Sequence, residues 1–194
     1  MASLSDLITS RVRVKVLELF FKNIGEKYHV RGVVREVDEE INAVRIELDR
    51  FEKAGILGKE NRGNRVYYSI REDYEFFTDL VSLVAKTTGL GAEILQSKKK
   101  IGSLSFIMFS GRFARYLPKK NDDEVDILII GDANMTVLSD IVRAEESRRG
   151  SEINYTVMTR QEYDFRKRRR DPFLQGILLG TRVVILGDDY SLIQ

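Results

Sequence analysis

Across residues 5–21, Leu7, Ile8, Val12, Val16, Leu17 and Phe20 recur at spacings of three and four. That spacing predicts a helix with one buried face, which Ser5 and Asp6 can cap. A loop over 23–25 and a short apolar stretch over 28–30 lead into a helix of one to two turns over 33–37, punctuated by Asp38. Residues 40–54 place Ile41, Val44, Leu48 and Phe51 on one stripe that stops at Gly55, with Asn42, Arg45 and Asp49 on the opposite face. Two β-rich runs, 56–61 and 65–70, flank Arg62-Gly63-Asn64 and predict a hairpin with a basic tip. The stripe over 74–100 is helical again, with Gly89 and Gly91 able to break it.

After Lys100 the period changes. Compact apolar runs over 104–109 and 125–130 read as buried strands, 137–144 as a helix, 153–158 as a strand, 161–170 and 172–179 as helices, and 182–186 as a last strand. A helical block followed by alternating strands and helices predicts an α+β chain of two domains, 1–73 and 101–194, joined by a helical segment over 74–100. At 194 residues the chain has room for two small domains. That connecting stripe is wide enough to serve as the seam of a homodimer or to pack on its own domain.

Composition narrows the chemistry. With 0 Cys and 1 His, a disulfide framework, a thiol nucleophile and a Cys/His zinc site are excluded, so any metal must sit on carboxylates. No apolar run approaches the roughly 18 residues of a membrane span, and the N-terminus has no signal-peptide pattern. The expectation is therefore a cytoplasmic protein with no membrane partner. The net charge of +2 comes from 32 basic and 30 acidic residues, but it averages over unlike regions. Residues 1–75 balance at 14 of each sign, 94–121 hold seven cations and no acid, and 166–170 are five cations in a row. Five adjacent charges on a helix repel unless anions relieve them, either phosphates or neighbouring acids such as Glu145, Glu146 and Asp164.

Helix, short helix, helix and basic hairpin is the order of a winged helix-turn-helix. The runs Asn42-Ala43-Val44-Arg45, Glu52-Lys53-Ala54-Gly55-Ile56-Leu57 and Gly63-Asn64-Arg65-Val66-Tyr67-Tyr68 resemble the ArsR-type winged-helix transcription regulators. The resemblance implies that the helix over 40–54 is a recognition helix lying in the major groove of double-stranded DNA. A helix fits that groove, and Asn42 and Arg45 can pair with base edges. Lys59, Arg62 and Arg65 on the wing would meet phosphates. Sensing of metals through Cys or His clusters, common in that family, is not open to a chain whose one candidate is His29. Winged helices also serve as protein-interaction modules, and the same face is then a solvated one.

A second resemblance covers roughly residues 90–188. Phe109-Ser110-Gly111-Arg112-Phe113-Ala114-Arg115-Tyr116, followed by Asp123-Glu124-Val125-Asp126 and Ile127-Leu128-Ile129-Ile130-Gly131, resembles the minimal nucleotidyltransferase domain of the DNA polymerase beta superfamily, an α/β domain with a mixed sheet. Two carboxylates at i and i+2 on a strand share a face and can hold Mg²⁺ against a nucleotide's phosphates. The resemblance assigns that role to Glu124 and Asp126, with Glu152 as the candidate third acid. It gives Gly111, Arg112 and Arg115 the phosphates of a nucleotide ligand. The chain departs from the family pattern at Arg112, which replaces a serine, at Tyr116, which replaces a glycine, and at Glu124, which replaces an aspartate. Asn154 stands where the third acid belongs.

Together the two resemblances imply a dimeric DNA-binding regulator whose second domain is catalytically degenerate and serves nucleotide or phosphate sensing or dimerisation. Two alternatives stay open. One is an active Mg²⁺-dependent nucleotidyltransferase using a nucleoside triphosphate and targeted by the winged helix. The other is an antitoxin-like interaction protein.

Overall fold

The computed structural model describes Leu4 and residues 8–193; Ser5, Asp6 and Leu7 of the first stripe lie outside the described residues. The chain is α+β and divides into two compact units, with the division between Val84 and Ala85, inside the segment expected to connect two domains. No helix among the described residues is long and apolar enough to cross a membrane.

The N-terminal unit comprises α1 (Arg11–Lys22), β1 (Tyr28–His29), α2 (Val30–Val37), α3 (Ile41–Lys53), β2 (Leu57–Arg62), β3 (Arg65–Ile70) and the start of α4 (Phe77–Thr87). α1 follows Ser10, whose hydroxyl accepts from the Arg13 N–H at 3.3 Å as an N-cap. His29 caps α2 in the same way: its Nδ1 accepts from the Gly32 N–H at 2.9 Å, and its ring stacks on Tyr67. A Cβ at Gly32 would stand 2.7 Å from that nitrogen, so the cap requires glycine there. The one imidazole of the chain is thus a structural element of the turn.

α2 ends at Asp38, which takes the left-handed conformation (φ 51°), and α3 begins three residues later. The Glu40 carboxylate accepts from the N–H groups of Asn42 (2.8 Å) and Ala43 (3.0 Å), which hold its carboxyl below the usual carboxylate range. Val16, Leu17, Phe20, Val33, Val44, Leu48 and Phe51 are buried where α1, α2 and α3 pack on one another. The hairpin pairs Leu57 with Ile70 through to Arg62 with Arg65, so its turn is two residues, Gly63-Asn64, one fewer than expected. β1 adds on the far side of β3, giving the antiparallel order β1-β3-β2.

The C-terminal unit continues from the break at Thr88 with α5 (Gly89–Ile101), β4 (Gly102–Ser110), α6 (Gly111–Ala114), β5 (Ile127–Ala133) and α7 (Met135–Arg149). It ends with β6 (Tyr155–Met158), α8 (Arg160–Arg168), α9 (Pro172–Leu179), β7 (Arg182–Leu186) and α10 (Asp189–Ile193). The sheet order is β6-β5-β4-β7; β5 and β6 are parallel and the other pairs antiparallel, so the sheet is mixed. Phe106, Met108, Leu128 and Ile130 project to one face, where Met158, Tyr163 and Leu174 cover them. Ile107, Ile127 and Ile129 project to the other and are equally buried. Burial on both faces is why these strands read as unbroken apolar runs.

One expectation needs correction. β5 begins at Ile127 and β6 at Tyr155, so Glu124, Asp126, Glu152 and Asn154 precede the strands instead of sharing a strand face. The cause is local hydrogen bonding: the Asn154 side-chain amide donates to the carbonyls of Asp122 (2.5 Å) and Glu124 (3.1 Å), pinning these residues as a loop.

Candidate functional site

Two constellations carry the candidate residues, one in each unit. In the N-terminal unit, α3 has two unlike faces. Val44, Leu48 and Phe51 face the core, and Glu47, one turn from Val44, is buried among them. Its carboxylate takes Arg13 Nε at 2.8 Å, the Ser10 hydroxyl at 3.0 Å and Arg50 Nη1 at 3.1 Å. Two guanidinium groups neutralise the charge, and the bonds lock α3 to the start of α1. The outward face carries Asn42, Arg45, Ile46 and Asp49, all exposed. Arg45 is exposed and makes no ion pair with a described residue, though its charge reaches the Glu40 carboxyl and helps to lower it.

The hairpin places its cations unequally. Arg62 is held by Glu60 through Nε–Oε1 at 2.7 Å and Nη2–Oε2 at 3.2 Å, and Lys27 reaches the same carboxylate at 2.6 Å. Hydrogen bonds from Arg62 and then from Lys27 hold the Glu60 carboxyl down to about 2. Lys59 and Arg65 are exposed and make no ion pair with a described residue. Of the five residues expected to face DNA, four thus have side chains that make no hydrogen bond or ion pair with a described residue and one, Arg62, is tied down.

In the C-terminal unit, a cleft of about 360 Å³ opens where β4 turns into α6, between the loop carrying Lys120 to Val125 and the α9 side chains Phe173 and Ile177. Gly111 and Arg112 line it, as does Glu124; Arg115 does not. Gly111 is there for packing: a Cβ would lie 2.1 Å from Thr181 Oγ1, and its N–H donates to the Thr181 carbonyl at 2.7 Å. That N–H is therefore committed inside the fold. The Arg112 guanidinium clasps the Pro118 carbonyl (2.9 and 2.6 Å) and lies 3.9 Å from Glu124 Oε2. Arg115 is half-buried and is not without a partner.

The carboxylates have separate partners. Asp126 is only 3% exposed, and its Oδ2 accepts from the Asn154 N–H at 2.8 Å and from Lys119 Nζ at 3.1 Å. Glu124 Oε2 accepts from the Lys120 N–H at 2.7 Å, and Glu152 is exposed. Among the described residues no group of three or more His, Asp or Glu is placed to hold a metal ion. A divalent cation needs several oxygens with free lone pairs. Here a lysine ammonium neutralises the buried carboxylate and the third position is an amide, so these residues do not fit Mg²⁺.

The cation run at the end of α8 is partly neutralised: Arg166 pairs with Glu162 at 2.9 Å and Lys167 donates to the Leu192 carbonyl, while Arg168, Arg169 and Arg170 are exposed. The acids named as partners are engaged elsewhere, Glu145 with Arg148 and Arg149, and Asp164 with Arg160. Periodicity overlooked three side chains that shape the sites. Glu47 stands in phase with the α3 core stripe, and an acid in a core phase was the available signal. Ile46 was legible as an apolar residue off the stripe. Lys119 had no signal, because its partner is defined only by the loop's path.

No protein-family model matches the sequence, and no curated protein matches it. Among solved structures, that of human N-acetylserotonin methyltransferase in complex with SAM is similar at a TM-score of 0.31 and 12% identity, over 50% of this chain and 32% of that one. A likeness at that level carries no argument about fold or function.

Proposed function

We propose that the chain is a DNA-binding transcription regulator of the winged helix-turn-helix type, carrying a nucleotidyltransferase-like unit that has lost metal-dependent transfer. One observation carries the reading: α3 is locked to its own unit by a neutralised Glu47, while the side chains of Asn42 and Arg45 on its opposite face make no hydrogen bond or ion pair with a described residue. A rigid helix with free amide and guanidinium donors is what base-edge readout in the major groove requires. The order β1-β3-β2, with the two-residue turn between Arg62 and Arg65 at a hairpin tip, supplies the wing. Lys59 and Arg65 contact phosphates and set affinity rather than sequence.

The second unit supports the degenerate form of the nucleotidyltransferase resemblance. The motif Gly111-Arg112 and the acid Glu124 line one cleft, yet Asp126 is bound to Lys119 and the Gly111 N–H to Thr181. That arrangement suits a ligand-responsive or dimerising role. Binding as a homodimer requires two half-sites about one helical turn apart.

Selection of bound sequences from a random duplex library tests the reading. The wild-type chain is expected to enrich a sequence of inverted symmetry, and the double variant Asn42→Ala, Arg45→Ala to enrich none while remaining folded. Equal binding of the enriched duplex by both proteins refutes it. Incubation with labelled nucleoside triphosphates and Mg²⁺ is expected to give no incorporation; incorporation that Asp126→Asn removes reverses the reading of the second unit.

A further inference from the structure

Ile46 is 58% exposed on a helix where Val44 and Leu48 are fully buried and Ile41 is half-buried. At 3.6 residues per turn it lies one turn from Asn42 on one side and from Asp49 and Arg50 on the other, with Arg45 beside it in the chain. It is therefore an apolar side chain on the exposed face, flanked by Asn42, Asp49 and Arg50, with Ala43 as its one apolar neighbour a turn away. Single exposed aliphatic residues are ordinary on a surface at large. This one is set apart by its place beside Asn42 and Arg45, whose side chains make no hydrogen bond or ion pair with a described residue. Its β-branched side chain is also held to nearly one rotamer in a helix, so it presents a fixed apolar knob.

The major groove carries one apolar feature on its base edges, the C5-methyl group of thymine. Resting on the DNA-binding reading above, we infer that Ile46 reads that methyl group, making thymine a required base next to those contacted by Arg45 and Asn42. Packing a branched side chain on a methyl removes both from water, and the gain vanishes when the methyl is absent. Arginine and asparagine discriminate by hydrogen bonds to guanine and adenine. A face carrying all three side chains reads a mixed sequence with one methyl-dependent position.

Deoxyuridine, which differs from thymidine by that methyl alone, isolates the contact. The duplex enriched from the random library is synthesised with deoxyuridine in place of each thymidine in turn, and binding is measured for the wild-type chain and for Ile46→Ala. One replacement in the half-site is expected to weaken wild-type binding about fourfold, the effect of one buried methyl-sized group. Ile46→Ala is expected to bind the parent and substituted duplexes alike. Circular dichroism serves as the control for folding, and the exposed position and the high helix propensity of alanine keep the variant folded. Three results overturn the inference while leaving the DNA-binding reading intact: an enriched half-site without thymine, no deoxyuridine effect at any position, or an effect retained in Ile46→Ala. Failure to enrich any sequence refutes both.

Discussion

The outward face of α3 and the loop ahead of β5 hold similar side chains in opposite states. On α3, Arg45 has no ion pair among the described residues although Asp49 stands one turn away, and Glu47 is turned inward and already neutralised by Arg13 and Arg50. Ahead of β5, Lys119 is spent on Asp126, Arg112 on the Pro118 carbonyl, and the Asn154 amide on Asp122 and Glu124. A charged group satisfied inside the fold has little free energy left for a ligand, whereas one facing solvent exchanges water for a partner at modest desolvation cost. Residue types alone nominated both regions. Partnering separates them: the outward cation of α3 has no ion pair among the described residues, and those around the loop are committed within the fold.

That contrast breaks most visibly at Lys119. Replacing it with Met leaves a nearly fully buried carboxylate without its counter-charge, which costs about 3 kcal/mol when a buried pair is broken. Some of that is recovered because the lysine side chain is itself 25% exposed. Asp126→Asn in the same background is expected to restore most of the loss. Arg45→Ala, by contrast, is expected to change stability by less than about 0.5 kcal/mol while weakening binding to the enriched duplex at least tenfold. Chemical denaturation of the three variants, read against duplex binding of Arg45→Ala, decides the point; a stable Lys119→Met removes the distinction.

A smaller effect is expected at Glu47. Glu47→Gln keeps the shape but removes the charge shared by Arg13 and Arg50, and is expected to cost about 1–2 kcal/mol in denaturation. Amide exchange in α3 is expected to quicken, and the variant retains the sequence preference with lower affinity, because the reading face is intact and its seat is looser.

The smallest effect belongs to Glu60, which lies between the two states. Its carboxyl is depressed from 4.5 to about 2 by Arg62 and Lys27. A depressed carboxylate contributes above its ordinary value and loses that contribution only as pH falls toward the lowered one. The hairpin pairing is therefore expected to stay unchanged from pH 7 to pH 4, with the salt dependence of duplex binding unaltered over the part of that range in which the DNA itself stays paired. Glu60→Gln releases both cations and is expected to steepen that dependence by about one to two ions. An unchanged slope in the variant shows that the wing lies away from phosphates.

Much of the fold was legible in the chain. The α3 stripe of Val44, Leu48 and Phe51, the hairpin around Gly63 and the apolar runs of β4 and β5 follow from spacing, because helix and strand impose their periods on consecutive residues. β1 was harder: Tyr28–His29 is a two-residue strand, whose existence depends on Tyr67 and Tyr68 lying opposite. The strand starts ahead of β5 and β6 were misplaced for a related reason. Asp126 and Asn154 are 28 positions apart, and their mutual bonding ends the ladder early.

What the sequence by itself determined was the inventory: amphipathic helices in their order, a hairpin with a basic tip, buried strands, no thiol chemistry, and a short set of candidate residues whose types suit base reading or metal binding. What only the tertiary structure decided was which of those residues are still available. Arg13 and Glu47 meet across 34 positions, and Lys119 meets Asp126 because the loop after α6 folds back on itself. Periodicity is a property of neighbouring backbone units and survives in one dimension. Charge neutralisation depends on distance and burial in three, and the attraction falls as the inverse of a separation that the chain order does not contain.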